Sequence, residues 1–326
     1  MKKIFITSII FFLIALIACK KDTKTADVNP TAPSQPTDNY SSIKDFYSKN
    51  KVAMQTYTIN ANFGGSFNTP QGTTVTIPAN AFLTQTSASI TGVVTIQFKD
   101  IYKKSDMLLS KIPTNTYGGA PLKSGGEFFI KVIQNNTALI LAPGKNIDVF
   151  QPIPVNLIGG LDTMQPFIRV DSIGGGGNPG WMTANTNSIL NNASNYVFSL
   201  YNFNTPSDSG SWCNSDNSSY FSAYPQTTLN LISTDSYSVF STDVFLVFKN
   251  ISSMVHVYYN YGTGYNNFLY SYAPQGLQCT MVAVGIKDGA LYSSFVPITI
   301  GANQTYSFAL NPTTTSTFTN QLNTLN

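Results

Sequence analysis

Few side chains in this 326-residue chain are suited to acid–base or nucleophilic chemistry. Glu127 is its one glutamate, Arg169 its one arginine and His256 its one histidine, beside fourteen aspartates and three cysteines. Catalysis by a Ser or Cys nucleophile needs an adjacent base. His256 lies in Met254-Val255-His256-Val257-Tyr258, an apolar run in which a hydrogen-bonded structural imidazole is the expected state. There is no Gly-x-Ser-x-Gly elbow, and Gly144-Lys145 lacks both the upstream glycine and the following Ser or Thr of a phosphate-binding loop. Glycoside hydrolysis needs a pair of carboxyl groups. Glu127 and the aspartates make a pair arithmetically available, but no spacing singles one out. Two cysteines and one histidine form no zinc pattern. Asp208, Asn214 and Asp216 form a polar stretch whose oxygens suit calcium, although without EF-hand spacing, and a solvated turn is the competing reading. The expectation is a non-enzyme with no catalytic residues, no metal centre and no cofactor beyond that weakly marked calcium.

Aromatic residues offer the other recognition chemistry. Tyr258-Tyr259-Asn260-Tyr261-Gly262-Thr263-Gly264-Tyr265 continues to Phe268, Tyr270 and Tyr272. Tyr259, Tyr261, Tyr265 and Tyr270 are therefore candidate ligand contacts, because a tyrosine on a solvent face presents rigid apolar area with a polar tip to a sugar or a protein. The alternative is cross-strand aromatic pairing that supports a hairpin and its core.

At the amino terminus, Lys2 and Lys3 precede an apolar stretch from Ile4 that ends in Leu16-Ile17-Ala18-Cys19, followed by Lys20-Lys21-Asp22. These are the parts of a secretory signal. The segment resembles a bacterial lipobox, which implies cleavage between Ala18 and Cys19 and lipid attachment at Cys19. Two or three acyl chains hold a protein on a bilayer where one does not. The processed chain then carries Cys213 and Cys279, and an exported protein with an even number of remaining cysteines invites a disulfide. Two separately buried thiols are the other reading.

The elements that must position these groups are strands. Charged residues make up only 10% of the chain against about 25% in ordinary soluble domains, while 18 Tyr, 22 Phe and abundant Thr, Val and Ile favour pleated surfaces. Val94, Ile96 and Phe98 alternate with Thr95, Gln97 and Lys99. Val244, Leu246 and Phe248 alternate with Phe245, Val247 and Lys249, and Asp288-Gly289 is a hairpin turn by composition. The fold class expected is all-β, with two antiparallel β-sandwich domains. Residues 1–18 read as the signal peptide and 19–47 as the acylated Cys with a flexible tether spanning on the order of 25 Å. The first sandwich occupies 48–158, with only Lys103 to Ser110 helical. A Gly-rich linker follows over 159–186, and a second sandwich, Ig-like or related, over 187–326. Gly175 to Gly180 matches GxGxxG formally but lacks the strand, helix and acidic residue of a dinucleotide site.

The first sandwich carries Phe63-Gly64-Gly65-Ser66, Pro70-Gln71-Gly72-Thr73, Ile77-Pro78-Ala79-Asn80-Ala81-Phe82, Leu122-Lys123-Ser124-Gly125-Gly126-Glu127-Phe128 and Leu141-Ala142-Pro143-Gly144-Lys145. In that order they resemble a ZU5-like β-sandwich of Bacteroidota surface lipoproteins, and the resemblance implies an interaction module. Without the signal the formal charge is +1, and a chain with one arginine has no basic patch for nucleic acid. The expected protein is a non-catalytic lipoprotein of the cell envelope, on the outer membrane and either periplasmic or surface-exposed. Its partners would be the membrane, through the lipid, and an envelope or extracellular protein. A glycan-binding accessory lipoprotein and a hydrolase with an unrecognised Asp/Glu pair are the alternatives.

Overall fold

Period-two burial dominates the described residues of the computed structural model, which are 38–153, 163–171, 178–185, 187–191, 194–201, 211–235, 241–259 and 266–326. Cys19, the lipobox, Asp208, Tyr261 and Tyr265 lie outside them. Both sandwiches belong to one unit, Pro36–Asn326.

The first part of the chain forms helix α1 (Ile43–Asn50), strands β1 (Gln55–Asn60), β2 (Gly65–Asn68), β3 (Thr74–Ile77), β4 (Phe82–Leu83) and β5 (Val93–Ile101), and helix α2 (Lys104–Leu109). Next come β6 (Lys123–Gln134), β7 (Thr137–Ala138), β8 (Ile140–Leu141), β9 (Ile147–Pro152) and β10 (Gln165–Val170). They are followed by β11 (Gly180–Thr183), β12 (Ser188–Asn191), β13 (Asn195–Leu200) and β14 (Ser211–Asn217). A seven-stranded antiparallel sheet runs β1-β5-β6-β14-β10-β11, with β7 hairpinned onto β6, and a five-stranded sheet runs β12-β13-β9-β3-β2. Val94, Ile96 and Phe98 of β5 and Phe128, Ile130 and Val132 of β6 point into the core they share with Val75, Ile77, Ile147, Val149 and Phe198. The alternating outward residues of β5 and β6 are left for other contacts.

The second part forms β15 (Gln226–Ser233), β16 (Thr242–Phe248), β17 (Met254–Val257), β18 (Asn267–Pro274), β19 (Gln278–Lys287), β20 (Ala290–Thr299), β21 (Thr305–Phe308), β22 (Asn311–Pro312) and helix α3 (Thr315–Asn323). A three-stranded sheet β18-β15-β21 packs on a five-stranded sheet β17-β16-β19-β20-β22. The pairing is antiparallel except between β15 and β21. Every residue of β16 is buried, because the sheet is covered on both faces. Val244, Leu246 and Phe248 enter the sandwich core. Phe245 and Val247 face a second apolar layer with Phe46 and Tyr47 of α1, Met107 and Leu108 of α2, and Phe318 and Leu322 of α3.

The chain is thus all-β with a thin helical layer. Helix α2 and the hairpin at Asp288-Gly289, where both residues have positive φ, fall where expected. Other boundaries differ. The tether expected through residue 47 ends earlier: Tyr40 N donates to Gly289 O at 2.9 Å, and Ser42 caps α1 by accepting from Asp45 N at 3.1 Å. The segment expected as a linker over 159–186 supplies β10 and β11 to the seven-stranded sheet, and β12, β13 and β14, expected in the second sandwich, also belong to the first. The physical reason is edge closure. β14 inserts between β6 and β10, so a segment rich in glycine still completes a ladder whose neighbours need hydrogen-bond partners.

Gly180, the last glycine of the formal GxGxxG, has a packing role there. A Cβ at this position would lie 2.6 Å from the Thr116 carbonyl group and 2.6 Å from the Tyr117 Cα, all backbone atoms. Gly180→Ala is therefore expected to destabilise the protein by about 2–3 kcal/mol, as overpacking against an unyielding neighbour does. Urea denaturation midpoints measure this, and a change within about 0.5 kcal/mol, typical of an exposed surface site, would contradict the close approach.

Candidate functional site at the seam between the sandwiches

β17 is an edge strand, and its pairing with β16 leaves the backbone groups of Met254 and His256 pointing outward. An open edge invites association with other strands. Here the segment after α2 closes it. Thr114 N donates to Met254 O at 2.7 Å and Met254 N donates to Thr114 Oγ1 at 3.0 Å. One residue on, His256 N donates to Asn115 Oδ1 at 2.7 Å and Asn115 Nδ2 donates to His256 O at 3.4 Å, so the amide side chain imitates a backbone unit. The closing segment is itself held by β11: Trp181 N donates to Asn115 O at 2.9 Å and Trp181 Nε1 to Pro113 O at 2.8 Å. Buried Lys104 donates to Phe248 O at 2.7 Å, and burial pulls its ammonium down to about 8.

The single Glu, Arg and His lie around this seam, His256 as the expected structural imidazole and Glu127 as the glutamate that no spacing pairs with a particular aspartate. Glu127 on β6 stands opposite Asn214 on β14, and Asp216 stands opposite Ser124, with a register shift between Asn214 and Asp216. Glu127, Asn214 and Asp216 are completely buried. Ser124 Oγ donates to Asn214 Oδ1 at 2.8 Å and accepts from Gly126 N at 3.1 Å. Both carboxylate oxygens of Glu127 and Asp216, Nδ2 of Asn214 and Nη1 of Arg169 are buried and make no hydrogen bond of ordinary geometry, although the Ser124 hydroxyl is near enough to Asp216 to favour its charged form. Burial first, and then the like charge of Asp216, pushes the Glu127 carboxyl well above its ordinary range, with Arg169 opposing. Burial also pushes Asp216 well up, offset in part by Ser124. Gly126 makes the placement sterically feasible. It has φ +129°, and a Cβ there would stand 2.3 Å from the Tyr102 ring, directly before Glu127.

A second polar group spans the seam. Asp243 on β16 accepts from Lys111 Nζ at 2.9 Å and lies 3.0 Å from His256 Nε2. The imidazole sits beside Phe245, with ring centroids 4.8 Å apart, and Tyr258, at 4.3 Å. This matches a hydrogen-bonded structural histidine. Burial alone would raise Asp243, but His256 and Lys111 outweigh it and hold the carboxyl well below its usual range.

The remaining expectations fall as follows. Cys213 and Cys279 are free thiols buried in two different cores, one in each sandwich, so the disulfide reading is corrected to separately buried thiols. Burial pushes the Cys213 thiol up and the Cys279 thiol to about 12. Asn214 and Asp216 lie within a strand, not in the polar loop expected for calcium. Among the described residues no group of three or more His, Cys, Asp or Glu is gathered. Of the candidate aromatics, Tyr270 is buried in the second core beside Phe268, and Tyr259 packs partly buried against it. A register shift near Tyr270 and Ala273 turns Tyr272 outward instead, 39% exposed.

Asp243 yields a pH test. A depressed carboxyl contributes stability above its unfolded value of about 3.9 and loses it as pH falls through the lower folded value. Asp243→Asn is therefore expected to be less stable than the parent at neutral pH, with the gap closing below about pH 4. Urea midpoints across that range measure it, and a gap constant with pH would contradict the ion-pair account. Neither a known protein family nor a curated protein matches the chain, so these residues and the amino-terminal motif carry the functional reading.

Proposed function

We propose that the chain is a non-catalytic lipoprotein of the bacterial cell envelope, held on the outer membrane through acylated Cys19 and presenting a rigid two-sandwich body to an envelope or extracellular protein. The observation that carries this reading is the series Lys2-Lys3, apolar stretch, Leu16-Ile17-Ala18-Cys19, followed by the Pro-, Thr- and Asn-rich residues up to Ser42. The motif order of the first sandwich, which resembles a ZU5-like domain of Bacteroidota surface lipoproteins, supports the same reading. Phe63, 80% exposed, and Val93, 62% exposed, lie together at the turn end of β1 and β5. Ile101, at the other end of β5, sits in the layer between the sandwiches. The nine residues of β5 place this apolar tip about 27 Å from that layer, at a rise of about 3.3 Å per residue. α1, where the tether enters, packs on the same layer.

The hydrolase alternative draws on Glu127 and Asp216, a carboxyl pair among the described residues whose burial raises its affinity for protons. Their complete burial favours a structural role, since a general acid must reach its substrate. The glycan-binding alternative loses Tyr270 from its contact set through burial.

Metabolic labelling with radioactive palmitate tests the anchor. The parent chain, expressed in a bacterium that processes lipoproteins, is expected to carry label and to sediment with membranes, and Cys19→Ser is expected to lose both. Label persisting in Cys19→Ser would overturn the reading.

A further inference from the structure

The outer side of β20 is open along most of its length. β22 covers it only at Tyr292 and Ser293, which stand opposite Pro312 and Asn311. Backbone groups alternate in direction along an antiparallel strand. Thr313 N donates to Leu291 O at 2.9 Å, and Tyr306 Oη donates to Thr299 O at 2.6 Å. Leu291 and Thr299 therefore face away from β19, and so do the odd-numbered residues between them. Ser293 is met by Asn311. Pro297 has no N–H to offer, which suits a proline on an open edge. Phe295 remains, and among the described residues its outward N–H and C=O have no backbone partner.

The other sheet of the sandwich brings a second open edge to the same place. Asn230 N donates to Gln304 O at 3.0 Å and Thr234 N donates to Phe308 O at 2.8 Å, so the even-numbered residues of β21 face β15. Ser307 faces the opposite way, where no described strand follows β21. Phe295 and Ser307 both line a groove of about 550 Å³ between β20, β21 and α3, with Ser293, Ser294, Thr317 and Gln321 beside them. No side chain lining it is charged.

An unpaired strand edge is a template for another strand. Two such edges on one groove call for a ligand with N–H and C=O groups on both of its sides. An extended polypeptide has them in register, at a rise of about 3.3 Å per residue, whereas a sugar offers hydroxyls without that register. A charged side chain entering the groove would lose water and find no counter-charge there. We propose that this groove is a strand-acceptor site, which binds an extended, uncharged segment of a partner polypeptide antiparallel to β20 at Phe295 and against Ser307 of β21. The proposal rests on the reading of the chain as an interaction module and adds the mode by which it holds its partner, main-chain pairing at a sheet edge.

The probe is a phage-displayed library of random peptides of about ten residues, the length of a long strand. It is selected on the purified mature chain, and the enriched peptides are then synthesised. They are expected to be uncharged at their centre and to slow hydrogen exchange of the Phe295 and Ser307 amides, read by NMR. Ser307→Pro removes an outward N–H without touching the ladder to β15. It is expected to weaken peptide binding about fivefold or more, the worth of one hydrogen bond, while Ser307→Ala, which keeps the N–H, binds as the parent does. Ala309→Trp, at an exposed position lining the groove, is expected to block binding. Enrichment of no peptide overturns the proposal. Peptides that bind Ser307→Pro as tightly as the parent, or that protect amides elsewhere, overturn it as well. Slow exchange of these two amides in the mature chain alone also overturns it, by showing that the chain itself or a second copy fills the groove. Protection by maltoheptaose in place of peptide overturns it by making the groove a sugar site. The amide readout on the parent decides the matter even if Ser307→Pro fails to fold. None of these outcomes alters palmitate labelling of Cys19, so the site and the anchor stand or fall separately.

Discussion

The outward backbone groups of Met254 and His256 must find partners, and the first sandwich provides them through Thr114 and Asn115. Much of the remaining architecture follows from that closure. The segment carrying Thr114 and Asn115 must be rigid, so it is braced by Trp181 on β11. β11 must therefore belong to the first sheet, which in turn makes Gly180 necessary where the backbones meet. If the sandwiches parted, these groups would meet water, and each hydrogen bond would cost only about 1 kcal/mol net. The apolar layer of Phe46, Phe245, Met254 and Phe318, at about 1.5–3 kcal/mol per buried large side chain, contributes more. Hydrogen bonds set the register of the seam, and apolar burial supplies most of its strength.

The scarcity of charge has a related meaning. A chain with one Glu and one His does not spread them over its surface; it places both at positions with 7% exposure or less. Asp243 is compensated by Lys111 and His256, whereas Glu127 and Asp216 are set against each other. The first group stabilises the seam at neutral pH. The second sets like charges together in a buried place, where burial favours their protonated forms and Arg169 and Ser124 only partly oppose it.

Much of the strand pattern was legible in the sequence, because alternation such as Val94, Ile96 and Phe98 translates directly into one buried face. The turn at Asp288-Gly289 and helix α2 were legible for similar local reasons. Helices α1 and α3 were not. Their sequences, IKDFYSKN and TSTFTNQLN, are short and of modest helix propensity, and what holds them is docking of Phe46, Tyr47, Phe318 and Leu322. The membership of β10 to β14 was equally hidden, since glycine and asparagine in that region advertise a loop while long-range ladders make it a sheet. The candidate site suffered most. Ser124 and Asn214, 90 residues apart, become neighbours only when β14 inserts beside β6. The lone glutamate directly before the aromatic pair Phe128-Phe129 was the available signal, whereas Asn214-Ser215-Asp216 advertise a polar loop.

If the closed edge of β17 and the layer behind it join the sandwiches into one cooperative structure, neither sandwich unfolds alone. Differential scanning calorimetry of the mature chain measures this directly. The account predicts a single transition whose calorimetric enthalpy equals its van't Hoff enthalpy. Two resolved transitions, or a calorimetric enthalpy well above the van't Hoff value, would show that the sandwiches melt independently and would contradict it.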